Sequence, residues 1–143
     1  MAQIRAWHAT TEVSRRLATI PGIGAVIASA LAATVPDPHV FASGRAFAAW
    51  LGLVPRQNSS GGKDRLGRIS KQGDGYLRRL LIIGAQAALL RSKTLRAQPW
   101  VAALLARKPR LVVAVALANK IARIAWAVMT RGGTFQNPTP LAA

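Results

Sequence analysis

Apolar positions recur at helical spacing along most of this chain, and one long polar stretch interrupts them. Glu12 to Ala18 reads as a short helix, and Val26, Ile27, Ala30 and Leu31 give an apolar face to a second one from about Ala25 to Thr34. Between them stands Pro21-Gly22-Ile23-Gly24. The proline blocks continuation of the first helix and the glycines permit a tight reversal, with Ile23 expected to point inward and pin it. Val35-Pro36 ends the second helix, because a residue before proline is pushed out of the helical region.

A third helix is bracketed by Ser43 as N-cap and Gly52 just past its end, with Phe47, Trp50 and Leu51 on one face. Trp50 is expected in the core. Asp74 can cap a long helix, "GYLRRLLIIGAQAALLRSK", whose Leu77, Leu80, Leu81, Gly84, Ala88 and Leu89 form a broad apolar stripe. "PWVAALLARK" follows with Pro99 in its first turn. The last helix, "PRLVVAVALANKIARIAWAVMTRGG", is apolar nearly all round and closed by Gly132 and Gly133, which predicts the central helix of the core. No repeat and no set of strands is visible, although Leu53 to Ile69 has room for a short hairpin. The fold class is all-α. Residues 1–11 are a lead-in, 12–133 one domain and 134–143 a disordered tail. Within the domain, 12–35 form the reversal, 53–74 a serine-bearing loop and 75–131 the helical core.

Charge changes the picture. A hydrophobic fraction of 51% excludes intrinsic disorder, yet 20 Lys and Arg against four acids leave a net charge of +16. The acids are Glu12, Asp37, Asp64 and Asp74, while eleven basic residues follow Asp74. Self-repulsion of that size calls for a polyanion, and nucleic acid fits better than an anionic membrane surface. Cysteine is absent, so no disulfide or thiolate metal site is possible, and His8 and His39 lie far apart. No apolar run of signal-peptide length opens the chain. "LLIIGAQAALL" and "LVVAVALAN" fall short of the ~20 residues that span a bilayer, with Lys120 and Arg123 after the second. The expectation is a cytoplasmic protein without a membrane partner.

The polar stretch "PRQNSSGGKDRLGRISKQGD" from Pro55 to Asp74 admits two readings. It is either a flexible linker or the seat of a nucleophile that attacks something negative. A serine hydroxyl is weak and needs activation or nearby positive charge. Gly61 and Gly62 would let a phosphate come close, and Arg56, Lys63, Arg65, Arg68 and Lys71 would neutralise it. The reversal also has two readings. It is an ordinary helical hairpin, or it is similar to the helix-hairpin-helix modules in which glycines such as Gly22 and Gly24 bring backbone N–H groups to a phosphate.

The order of these features, from Pro-Gly-Ile-Gly through "GLVPRQNSSGGKDRLGRISKQGDGYLRR" to the apolar helices, resembles the C-terminal domain of the IS-one-ten family of insertion-sequence transposases, the bridge-RNA-guided serine recombinases. The resemblance runs roughly from Leu17 to Met129. It implies a serine that attacks a DNA phosphodiester and holds the strand covalently. By motif that serine is Ser60, with Ser59 as second choice. DNA contacts are implied at Gly22, Gly24, Arg56, Lys63, Arg65, Arg68, Lys71, Arg78 and Arg79. Implied partners are DNA, a structured guide RNA, and a RuvC-like domain or other protomers. The family's acidic metal site lies in that RuvC-like N-terminal domain, which these residues do not include. Magnesium needs converging carboxylates, and four scattered acids cannot supply them. No metal or cofactor is therefore expected here, magnesium is expected only in the RuvC-like domain, and the chain alone is expected to bind DNA without cutting it. The alternative is a non-enzymatic helix-hairpin-helix module that binds DNA or RNA.

Overall fold

In the computed structural model, residues 2–60, 63–69 and 74–135 are described. They form an all-α body from which one two-stranded ribbon is drawn out. α1 (Ala2–Thr10), α2 (Glu12–Leu17) and α3 (Ala25–Thr34) come first, then a 3₁₀ turn at Pro38–Val40 and α4 (Gly44–Trp50). The ribbon, β1 (Pro55–Ser60) and β2 (Lys63–Ile69), leads into α5 (Gly75–Arg91). α6 (Lys93–Ala97), α7 (Pro99–Arg107) and α8 (Arg110–Arg131) complete the described fold. The expected hairpin within Leu53 to Ile69 is this ribbon.

α8 is the central helix, packing against α2, α4, α5, α7 and the 3₁₀ turn. Its Val113, Leu117, Ile121, Ala125 and Val128 are buried with Leu77, Leu81 and Leu89 of α5 and Phe47 of α4. With 22 residues, α8 is by length and apolarity sufficient to cross a bilayer, more than the run to Asn119 suggested. Its apolar side chains are nevertheless the core of this body. Burying each such Leu, Ile or Val contributes about 1.5–3 kcal/mol.

The reversal between α2 and α3 is a tight turn, closed by the Ile23 amide donating to the Ile20 carbonyl at 3.0 Å. Pro21 and Gly22 occupy its two central positions, and Gly22 takes φ +91°, which suits a type II turn. Ile23 is buried, as its place in the sequence predicts. A Cβ on Gly22 would lie 3.1 Å from the Gly84 carbonyl oxygen of α5 and 3.1 Å from Cδ1 of Ile121 of α8. A Cβ on Gly84 would run into the Gly22 carbonyl oxygen. Two backbones meet here with no room for a side chain.

Two expectations need correction, for Trp50 and for the long helix, and both ends of the described chain make contacts of their own. The lead-in is helical: α1 is tied down by His8 Nδ1 at 2.6 Å from Ser14 Oγ, which lies 3.4 Å from Ser29 Oγ. Trp50 is not in the core but 38% exposed, because α4 turns it to the rim, where its ring stacks on Phe47 and tilts against Phe41. The long helix stops at Arg91, since the Ser92 hydroxyl accepts from the Leu95 amide and starts α6 instead. Past α8 the Phe135 amide donates to Thr19 Oγ1 at 2.9 Å; the rest of the expected tail, residues 136–143, lies outside the described residues.

Because Gly84 faces backbone rather than a yielding side chain, Gly84→Ala is expected to cost about 1–3 kcal/mol, the usual cost of overpacking. For a domain of this size that lowers Tm by roughly 3–12 °C. Thermal unfolding followed by circular dichroism measures the shift, and an unchanged Tm would show that the two backbones do not meet.

Candidate nucleic-acid interface

The ribbon leaves and re-enters the helical body at two well-anchored points. At the exit, α4 ends in paired bonds: the Gly52 amide donates to the Ala49 carbonyl and the Leu53 amide to the Ala48 carbonyl. Gly52 adopts φ +76°, the left-handed conformation such an ending requires. Two side chains from distant elements then fix the same strand of backbone. Arg78 of α5 donates to the Leu51 carbonyl at 3.2 Å, and Asn119 of α8 donates to the Leu53 carbonyl at 3.0 Å. At the re-entry, Asp74 accepts from the Leu77 amide at 3.0 Å and caps α5. The exit and the start of α5 are thus joined through Arg78, and the mid-point of α5 carries the turn of Gly22.

Between these anchors the strands pair antiparallel. Ser60 stands opposite Lys63, Ser59 opposite Asp64, Asn58 opposite Arg65 and Gln57 opposite Leu66. The register shifts between Pro55 and Gln57, so β2 holds an extra residue opposite that step. Strand positions alternate with period two, so the Ser60–Lys63 and Asn58–Arg65 pairs belong to one face of the ribbon and the Ser59–Asp64 and Gln57–Leu66 pairs to the other. Arg56 and Arg68 lie at the irregular end. Gly61, Gly62 and Lys71 fall outside the described residues.

The remaining expected contacts separate into two kinds. Arg79 is exposed on the first turns of α5, whereas Arg78 is half-buried and holds the ribbon's base. Gly24 is the N-cap of α3, with open space where a Cβ would stand, while Gly22 faces α5. Sequence reasoning missed Asn119, whose only signal was an amide inside an otherwise apolar helix.

The serines sort themselves by what they touch. Ser14 is fully buried against His8, so this serine–histidine pair admits no substrate. Ser29 donates to the Ala25 carbonyl, and Ser43 and Ser92 are helix caps. These four have structural employment. Ser59 and Ser60 stand instead in the ribbon, and Ser70 is outside the described residues. Among the described residues no three of His, Cys, Asp and Glu converge as a metal would need.

Residues 14–100 match the model of the family described as Transposase IS116/IS110/IS902. The chain is 50% identical over 132 residues to a "Putative transposase y4pF/y4sB" of Sinorhizobium fredii, covering 90% of this chain and 34% of that protein. It is 56% identical over 119 residues to a "Probable family 20 transposase" of Pseudomonas aeruginosa, covering 82% and 35%. Against a "Transposase for insertion sequence element IS1328" of Yersinia enterocolitica it is 50% identical over 129 residues, covering 89% and 39%. The chain therefore spans about a third of the length of the curated relatives it matches.

The cap at the ribbon's re-entry can be tested by itself. Asp74→Ala is expected to cost about 1 kcal/mol, while Asp74→Asn and Asp74→Ser keep most of that, since all three caps accept from the same amide. Urea unfolding of the series measures it. Equal losses for Ala, Asn and Ser would show that Asp74 matters for something other than capping.

Proposed function

The chain belongs to the IS116/IS110/IS902 transposase family, and from that premise we propose that it is the serine-bearing, DNA-binding part of a transposase acting in the cytoplasm. Ser60 is the nucleophile. Its hydroxyl oxygen forms a bond to a DNA phosphorus, the deoxyribose oxygen on the far side departs, and the strand stays linked to the protein as a phosphoserine ester. The serine proton passes to an acceptor outside this chain.

The observation that carries this reading is the ribbon's register. The position opposite Ser60 is Lys63, and the next pair on that face brings Arg65; the position opposite Ser59 is the carboxylate Asp64. A phosphodiester is an anion and its transition state carries developing charge, so cationic neighbours favour attack from the Ser60 position. At an effective dielectric of 20, unit charges about 5 Å apart interact by ~3 kcal/mol, so a lysine position across the ribbon, in place of an aspartate, supports Ser60 over Ser59. Further DNA-backbone contacts are assigned to Arg56, Arg68, Lys71 and Arg79 by their charge. The turn of Gly22 and Gly24, with the free amides at the start of α3, is a helix-hairpin-helix contact to the backbone of DNA or of a structured guide RNA.

This chain's residues do not fit a magnesium site. It has four acids, of which Asp74 caps α5 and Asp37 bonds His39. A RuvC-like acidic partner, on this or another protomer, is the place for that metal.

Two outcomes follow. If ~6 phosphates are neutralised, log K for duplex DNA falls against log salt with a slope near −5; a titration with a slope near zero would remove the electrostatic basis. With a RuvC-like acidic domain supplied, denaturing gels should show a covalent protein–DNA adduct that Ser60→Ala abolishes and Ser59→Ala retains, both variants binding DNA as the parent does. The chain alone should bind without forming the adduct. An adduct that survives Ser60→Ala would transfer the role to another residue.

A further inference from the structure

α5 has a second apolar face, which the core uses only through Leu80. Its inward residues are Leu77, Leu81, Gly84, Ala85 and Leu89. On another side lie Tyr76, Leu80, Ile83, Ala87 and Leu90, spaced alternately four and three residues apart. At 3.6 residues per turn these five fall in one narrow stripe, the spacing of a coiled-coil seam. Tyr76 is 55%, Ile83 56% and Leu90 60% exposed. From Tyr76 to Leu90 the stripe runs about 21 Å, at 1.5 Å per residue. Its first residue also lines a groove of about 390 Å³ with Ile4 and Trp7 of α1 and Ala30 of α3, which widens the apolar surface at that end. Leu80 and Ala87 are half-buried within the stripe, and Tyr76, Ile83 and Leu90, seven residues apart, stand open along four turns of the helix; single exposed apolar residues do not align this way, so they make an interaction surface.

Spacing specifies the shape of the occupant and charge specifies its chemistry. A seam with period seven receives another helix, because knobs at those positions enter the holes of a facing helix. The exposed side chains flanking the stripe are Arg79 on one side and Arg91 on the other. α5 carries no acid, and neither does any residue after Asp74. A second copy of this chain would set these arginines against their own kind, within a pair carrying +16 on each member. We propose that the outer face of α5 docks an amphipathic helix of a second polypeptide, apolar along its seam and rich in Asp and Glu beside it.

The probe is a synthetic peptide of three heptads with leucine and isoleucine in the seam and glutamate at the flanks, labelled for fluorescence anisotropy. Two control peptides accompany it, one with lysine flanks and one acidic with central prolines that prevent a helix. The acidic helical peptide should bind the chain, and the lysine peptide should not. The double variant Ile83→Asn, Leu90→Asn should weaken binding at least about tenfold. Both substituted residues are exposed, so its helical circular dichroism should match the parent, and its affinity for DNA should too, which separates this surface from the proposed DNA-binding role. Binding of the proline-broken peptide as tight as that of the helical one would reduce the effect to bulk charge and overturn the proposal. So would a parent dimer in sedimentation that the double variant converts to monomer, since a second copy would then occupy the face. A double variant that loses its helical signal is replaced by Ile83→Gln alone, judged by the same peptide ratio.

Discussion

The backbone contact between Gly22 and Gly84 couples the parts that matter. A side chain at either position would separate the turn from α5, and α5 is the element into which the ribbon returns. Ile121 of α8 closes the same contact from the third side. The turn, the middle of α5 and the central helix thus pack as one body. For Gly22 this gives two independent demands, a positive φ and a backbone approach from α5, before any phosphate is considered.

Electrostatics act against that body and therefore shape it. With +16 on 143 residues, attraction between charges contributes little to holding the fold, and the burden falls on apolar burial around α8. Two of the polar bonds of long reach meet at the ribbon's base, where Arg78 and Asn119 hold the backbone of Leu51 and Leu53, while Trp126 reaches the Pro38 carbonyl and the Phe135 amide reaches Thr19. Lys120 shows how a cation is accommodated without an acid: its ammonium lies 4.6 Å from the centre of the Trp100 ring.

Much of this was legible in the sequence where local chemistry decides. The limits of α3 follow from Gly24 and Val35-Pro36, the caps Ser43 and Asp74 act as their residue types predict, and the apolar circumference of α8 marked it as central. What failed to show depended on distant partners. α1 has too weak an apolar pattern to declare itself, and docks through a hydroxyl network that pairs His8 with Ser14. Trp50 looked like core because it shares a helical face with Phe47, but it is the last residue of α4 and its ring is left at the rim. The register that sets Ser60 opposite Lys63 depends on which residues form the turn, and a loop with glycines at 61, 62, 67 and 73 offers several choices.

Under the proposed function, a nucleophile that depends on a metal held outside these residues suits a sequence this basic. Non-specific DNA binding scales with the phosphates neutralised and is indifferent to sequence, so a +16 surface meets DNA nearly everywhere. A self-sufficient serine on such a surface would break strands wherever it landed. Within the proposed function, cleavage instead waits until Ser60 and a carboxylate-bound metal from elsewhere converge on one phosphate, a condition that proximity makes steep. The same logic asks the ribbon to be held at its base and not along its length. Leu51, Leu53 and Asp74 are fixed by α5 and α8, so both ends of the segment that carries the proposed nucleophile are tied to the helical body.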